Sequence, residues 1–507
     1  MSSSKSIPAN NSTAIRQKTS ALLRKLEGKV CKLLVTIVLF LLIIYTFLSS
    51  HPYSKSSKHS VNIHNKIQHS YEHTSSSPTN IGHIVFGIAG TSKGWTIRKH
   101  YVKSWWQPSI TRGFLFFDEA PIEHLPWPPV SIRVRLYQNT STYKDYDKHA
   151  LPFAIKMVLM IADMFKAENN ENVRWYFMAD DDTVLFTSNL VDVLSRYDHR
   201  KYYYIGTNSE SILANVDNSF EAAFGGAGFA LSYPLAKALS KHVDGCVKRY
   251  PTLLGRDHIL QSCVADLGVS LTQEKGLHQL LDVNNSINLC DHEQIDLQHD
   301  ISGLLSAHPQ TPLLSLHHLE LVEPIFPSMS RYDSVNHLMK VAKIDQPRLL
   351  QQSVCYLKEN NWTFSISWGY SSQIYEKIIT PSVLQRPLQT FSHRVWKGPK
   401  VPFMFNTRGV PGDPCEAPHV FFLDSVEKSD WDNVVVTSYI RKSPRLLQPC
   451  SSNNHSADSV SKIRVLSPMN KFEVIGSRRE CCDVIEMREA NATTVKLRTC
   501  MKDEIMG

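Results

Sequence analysis

A run of sixteen uncharged residues, LLVTIVLFLLIIYTFL at 33–48, limits most strongly what this chain can be, since two threonines are its main polar interruptions. With Val30 and Cys31 ahead of it, the run reaches the lower end of what spans a bilayer, and short spans suit thinner internal membranes. A buried core helix would not carry polar flanks on both sides. A cleaved signal peptide would show a tidy small-residue cleavage site after a short leader, and neither is present. Seven bases and one acid precede residue 33. The positive-inside rule therefore predicts a basic cytoplasmic tail at 1–32, an anchor at 33–48 and a lumenal remainder, which is type II topology.

The same bases explain a net charge of +8. Residues 1–32 carry six of those charges, and Lys55, Lys58 and Lys66 against Glu72 supply the other two. Residues 81–507 are thus close to neutral, without the electrostatic footprint of a nucleic-acid binder. Five Asn-x-Ser/Thr sequons (Asn139, Asn284, Asn361, Asn454, Asn491) and nine of the ten cysteines follow the anchor. Both fit a lumenal setting, where disulfides persist. The cysteine spacings match no zinc site. The adjacent Cys481 and Cys482 are expected to enter separate bridges.

Residues 49–80 are rich in Ser and His and read as a lumenal stem, a solvated tether. From residue 81 short apolar runs alternate with longer helical ones. IVFGIAG (84–90), GFLFFDE (113–119), WYFMA (175–179) and YYYIG (202–206) read as strands, and SIRVRLY (131–137) as a half-exposed strand. PFAIKMVLMIADMF (152–165) reads as a helix with Pro152 in its first turn. Such interleaving predicts an α/β fold with a mainly parallel sheet, whose ligands sit beyond the strand C-termini. After residue 330 prolines and cysteines are frequent. WTFSISW (362–368) alternates Trp362, Phe364, Ile366 and Trp368 against Thr363, Ser365 and Ser367. This C-terminal region, 331–507, reads as β-rich and disulfide-braced.

Asp180, Asp181 and Asp182 follow directly on WYFMA. With 47 acids in 507 residues, about 0.4 acidic triplets arise by chance, so position gives this one its meaning. Carboxylates at a strand C-terminus can hold Mg²⁺ or Mn²⁺ against a diphosphate. The following Thr-Val-Leu-Phe excludes an EF-hand loop. Three further features stand out: GGAG at 225–228, where backbone can approach a ligand closely; Asp257, a base or a helix cap; and His317-His318, a metal ligand or a structural strand end.

Taken in order, GIAGTSKGWTIRKHYVKSWW, WYFMADDDTVL, YYYIGTNSE, FGGAGFALS, GRDHILQSCVADLGVSLT and SAHPQTPLLSLHHLE resemble the plant Fringe-related proteins. That group belongs to the superfamily of Fringe and the core β1,3-galactosyltransferases. The resemblance covers 81–330 closely and the C-terminal region more loosely. It implies a GT-A (Rossmann-like) glycosyltransferase fold in a Golgi membrane protein. It further implies an inverting, Mn²⁺-dependent hexosyltransferase using a UDP-sugar donor and a glycan or glycoprotein acceptor. Galactose and N-acetylglucosamine lead among sugars, with a β1,3 linkage. By position, Asp182 is the direct metal ligand with Asp180 beside the metal and Asp181 at the nucleotide ribose. The metal-binding His falls on His317, with His318 as alternative. Thr91 and Arg98 match nucleotide contacts, Asp257 the catalytic base, and Cys246 and Cys263 a pair bracketing the base region.

Physically, that set would neutralise a diphosphate leaving group while Asp257 deprotonates an acceptor hydroxyl. Two other classes remain open at this stage. One is a non-catalytic carbohydrate-binding or scaffold protein retaining the fold; the other is a metal-free hydrolase with paired carboxylates. The chain departs from the family at LLDVNNSINLCDHEQ (280–294), between GLHQ and Ile295-Asp296. These residues include Cys290 and the Asn284 sequon, and read as an inserted loop or a retained intron.

Overall fold

The computed structural model describes residues 77–120, 132–140, 143, 152–253, 255–280, 300–391, 402–429, 433–450, 456–469, 478–486 and 491–506, with residues 37, 39, 40 and 42. Ile37, Leu39, Phe40 and Leu42, from the expected anchor, are helical and exposed. The rest of the 33–48 run, the basic tail, the stem up to residue 76 and the insertion from 281 to 294 lie outside the described residues. Among the described residues no helix is long and apolar enough to cross a membrane. Ser77–Gly507 is divided from the preceding residues as a unit of its own. That unit carries everything below.

It begins with β1 (Ile84–Ala89), α1 (Ser92–Trp105), β2 (Arg112–Phe117), β3 (Ile132–Leu136), α2 (Pro152–Ala167), β4 (Trp175–Asp180), β5 (Val184–Leu185) and α3 (Thr187–Leu194). Then follow β6 (Tyr204–Gly206), α4 (Ile212–Asp217), β7 (Phe229–Ser232), α5 (Tyr233–Arg249), α6 (Arg256–Ala265) and β8 (Leu271–Gln273). Seven of these strands form one sheet in the order β3-β2-β1-β4-β7-β6-β8. The first four are mutually parallel, β7 runs against β4 and β6, and β8 is parallel to β6. All six residues of β1 and the first five of β4 are buried, as expected of continuous apolar strands covered on both faces. Val85, Phe114, Tyr176 and Met178 pack with α2, α5 and α6 on one face. Phe86, Ile88, Leu115 and Phe177 pack with α1 and α3 on the other.

The half-exposed strand expected at 131–137 is present as edge strand β3, with Ile132 buried in the core but the rest of its apolar side turned outward. Val134 and Leu136 are 40% and 50% exposed. Arg133 lies over the Phe114 ring at 3.9 Å and pairs with Glu168, while Arg135 pairs with Asp163 at 2.9 Å. Asp163 of α2 and Glu168 just past its end thus hold the arginine side of β3 against the sheet's helical layer.

A second, three-stranded sheet joins distant segments: β5, β9 (Leu277–His278) and β10 (Ser315–Leu316), with β10 central. Between β9 and β10 lies α7 (Ser302–Ser306), and α8 (Arg331–Ala342) follows β10.

The C-terminal region is β-rich, as expected. Its strands are β11 (Gln352–Leu357), β12 (Trp362–Ser367), β13 (Ser371–Tyr375), β14 (His419–Ser429), β15 (Val434–Ile440), β16 (Lys462–Pro468), β17 (Cys481–Glu486) and β18 (Ala492–Arg498). They form one sheet in the order β11-β12-β13-β14-β15-β16-β18-β17. Cys355 of β11 is bonded to Cys482 of β17, so the sheet curls until its two outermost strands are stapled together. Cys481 pairs instead with Cys500, and Cys415 with Cys450. The neighbouring cysteines do serve separate bridges.

On β12 both faces of the alternating segment are buried. The hydroxyls of Thr363 and Ser367 donate to the carbonyls of Lys377 and Leu305 at 2.7 Å each, which makes their burial tolerable. Leu305 belongs to α7, so the Ser367 bond ties the C-terminal sheet to the preceding part of the chain. One apolar core runs from Ile84 to Leu497 across residue 330.

Candidate metal and acid-base site

The acidic triplet sits where β4 leaves the central sheet. The Asp181 N–H donates to the Ala89 carbonyl at 2.9 Å, so the chain leaves β4 still tied to β1. Two residues later β5 pairs antiparallel with β10, with Val184 opposite Leu316. That register carries the residue after Leu316, His317, back to the triplet.

Asp182, His317 and His318 each offer one ligand atom within 4.8 Å of the others. His317 Nε2 lies 3.0 Å from Asp182 Oδ1, and His318 Nε2 lies 3.7 Å from Oδ2. Consecutive residues of an extended chain point to opposite faces. His318 escapes this by a left-handed φ of +61°, and the two imidazoles lie with centroids 3.5 Å apart. Both Asp182 oxygens and both His317 ring nitrogens are buried without an aligned hydrogen bond. Burying such groups with only poorly aligned neighbours is costly, and a cation would relieve that cost. Carboxylate oxygen with imidazole nitrogen suits Mn²⁺ or a similar divalent ion. Burial pulls the His317 imidazole down, but Asp182 and Asp180 outweigh it and raise its pKa to about 9.

Asp181 is fully buried beneath Gly90, where a β-carbon would fall 2.4 Å from Oδ2. Burial first, then the charge of Asp182, raises its carboxyl well above the usual range. Arg98 of α1 reaches Asp181 at 3.3 Å and Asp182 at 3.7 Å, and its Nε donates to Glu320 at 2.9 Å. Thr91 caps α1, its hydroxyl accepting from the Gly94 N–H at 3.1 Å. It therefore stands at the mouth of the β1–α1 turn with its hydroxyl engaged in the helix.

Asp257 lies in the first turn of α6. Its Oδ1 accepts from the Gly225 N–H at 3.0 Å, and burial raises its pKa above the ordinary value against the pull of Arg256. The GGAG loop joins this acid to the ligand group. A β-carbon on Gly225 would lie 2.8 Å from Asp257 Oδ1, and one on Gly226 2.0 Å from the His317 ring. The Cys246–Cys263 disulfide braces α5 to α6, with Cα atoms 5.6 Å apart. Behind the acid a cavity of about 20 Å³, lined by Asp180, Gly225, Arg256, Asp257 and methionines 157 and 178, has room for about one water.

The structure thus brings Asp180, Asp181, Asp182, Asp257, His317 and Arg98 into one site, with Thr91 at its edge. Sequence reasoning missed two participants. Arg256 clasps Asp180 with both terminal nitrogens, at 2.9 and 2.5 Å, and Glu320 holds Arg98. Arg256 adjoins the expected base in sequence and Glu320 follows the His pair closely, but neither position carries a periodic signal.

A mixed, mostly parallel α/β sheet with a carboxylate-imidazole ligand group at its strand C-termini defines a nucleotide- or metal-handling class of fold. The family comparisons agree. The model described as "Protein of unknown function, DUF604" matches residues 214–482, more than half of the chain, and the model described as "Fringe-like" matches 79–313. The chain belongs to the former family and is a Fringe-related protein of glycosyltransferase type. It is similar to the β-1,3-N-acetylglucosaminyltransferase lunatic fringe of Danio rerio, 33% identical over 144 residues. That match covers 25% of this chain and 38% of the relative, so the chain spans well under half of the relative's length. A crystal structure of core-mannan synthase A from Aspergillus fumigatus, in its Mn/GDP form, aligns at 8% identity over 44% of this chain and 80% of that one. Its TM-score of 0.22 is too low to carry an argument.

Proposed function

We propose that this chain is an inverting hexosyltransferase of GT-A type. It would transfer galactose or N-acetylglucosamine from a UDP-sugar to a hydroxyl of a glycan or glycoprotein, forming a β1,3 linkage. The observation that carries the reading is the pairing, across Gly225 and Gly226, of a buried carboxylate-imidazole ligand group with a separate buried acid. The similarity to a β-1,3-N-acetylglucosaminyltransferase supports the donor and linkage.

Asp182 and His317, with His318 beside them, would hold Mn²⁺. The cation supplies positive charge to a diphosphate leaving group. Arg98, anchored on the buried Asp181, would orient the nucleotide from the β1–α1 side. Asp257 takes the proton from the acceptor hydroxyl as that oxygen bonds to the anomeric carbon, the carbon–oxygen bond to UDP breaks on the opposite face, and UDP departs. A carboxyl whose pKa is raised by burial is a stronger base than an exposed one, provided it stays ionised at working pH. We place the activity in the Golgi lumen, with 33–48 as the type II anchor.

The test is UDP release by the purified protein with Mn²⁺ and a panel of UDP-sugars, with and without glycan acceptors. Acceptor-stimulated release from one donor is expected. Glycan binding without release from any donor overturns the catalytic reading in favour of a carbohydrate-binding protein, and release that persists in EDTA removes the metal from it.

A further inference from the structure

Asp180 stands beside the ligand group, but its carboxylate is held by an arginine. Although Asp180 Oδ2 lies 3.5 Å from His317 Nε2, its carboxylate is outside the cluster formed by Asp182, His317 and His318. Both of its oxygens are taken by Arg256, in a two-pronged contact at 2.9 and 2.5 Å. The remaining guanidinium nitrogen, Nε, stands 3.6 Å from Asp257 Oδ1. An unbroken line therefore runs from His317 through Asp180 and Arg256 to Asp257. It joins the end of β4 to the first turn of α6, elements 76 residues apart in the chain.

A planar guanidinium gripping a carboxylate by two parallel bonds fixes separation and orientation together, whereas an ammonium fixes neither. The pair is 14% and 21% exposed, sheltered enough for its geometry to persist. We propose that Asp180 and Arg256 act as positioning residues, a rigid strut that holds the acid Asp257 at a set offset from the cation site. Asp180 then owes its place in the triplet to the strut and not to metal ligation. The kinetic part of this inference rests on the transferase reading, while the metal part does not.

The experiment compares D180N, R256K, R256Q, D180N/R256Q and D182N in the full chain. Mn²⁺ affinity is followed by electron paramagnetic resonance, and transfer by steady-state kinetics. D182N should weaken Mn²⁺ about tenfold or more, while D180N and R256K stay within about threefold of the parent. Turnover of D180N and R256K should fall about 10- to 100-fold with the donor KM nearly unchanged. The double variant should be no slower, and melt no lower, than the worse single one, because each substitution removes the same strut. R256K keeps the charge and guards against simple misfolding. Loss of Mn²⁺ by D180N equal to that in D182N makes Asp180 a ligand and overturns the proposal, as does parental turnover in R256K. If the parent protein transfers nothing, the transferase reading fails by itself. The strut then stands on parental Mn²⁺ affinity in D180N with non-additive melting, and falls if the melting losses add.

Discussion

Gly226 and His317 are in closer contact than any side chain at 226 would allow: a β-carbon there would fall 2.0 Å from Cε1, 2.3 Å from Nδ1 and 2.6 Å from Nε2. The ring cannot retreat easily, since the residue is 1% exposed and its backbone N–H donates to the His278 carbonyl at 3.1 Å. Gly226→Ala should therefore displace the imidazole and weaken Mn²⁺ about 10- to 100-fold, with a stability loss of about 1–3 kcal/mol. Calorimetric Mn²⁺ titration checks it. Unchanged affinity would show that His317 does not ligate.

Asp257→Asn keeps the shape of the side chain and its contact with the Gly225 N–H, but cannot accept a proton. Turnover is expected to drop by roughly 10² to 10⁴-fold, with UDP and Mn²⁺ affinities unaltered. Initial-rate kinetics alongside UDP calorimetry make the comparison, and near-parental transfer would remove Asp257 from the base role.

Glu376, fully buried in the C-terminal region, accepts from the Ala457 N–H at 2.6 Å and the Ser456 hydroxyl at 3.0 Å, with His419 at 3.4 Å. Burial pushes its pKa up, but His419 and these donors prevail and lower it from 4.5 to about 2. A depressed carboxyl stabilises the fold above its unfolded pKa, and that contribution is lost as pH falls from 4.5 towards 2. Glu376→Gln should cost about 1–3 kcal/mol at pH 7 and progressively less on acidification through this window. Urea unfolding at a series of pH values measures the gap; a gap independent of pH contradicts it.

Opening the Cys355–Cys482 staple, by replacing both cysteines with alanine, should lower stability by about 2–5 kcal/mol. The loss should appear as a lower melting temperature for the whole of residues 77–507, because the core is continuous. A separate low-temperature transition confined to the C-terminal sheet would disprove that coupling.

Much of this arrangement could be read in advance, and the exceptions share a cause. Apolar runs that stop at acid marked β4 and the triplet, and the glycines of GGAG marked a close approach, because both are local. His317 and His318 were read as alternatives, and only the left-handed turn at His318 lets both face Asp182. Non-glycine residues seldom adopt it, so nothing in the letters announces it. Arg256 and Glu320 find their partners 76 and 222 residues away, beyond any periodic pattern. The outward turn of Val134 and Leu136 goes with arginine contacts to Asp163 and Glu168, and the buried hydroxyls of β12 rely on carbonyls that tertiary packing brings to them.

That seam of hydroxyls has a practical outcome. Leu305, inside the segment matched by the Fringe-like model, has its carbonyl bound by Ser367, and Ser306 is bonded to Ser371 at 2.8 Å. Gly303 is pressed against the Leu388 carbonyl, with no space for a side chain. A polypeptide ended near residue 330 would leave these groups facing water and its apolar interior half open. The last third of the chain is the other wall of the same building, and the smallest soluble catalytic fragment should need it.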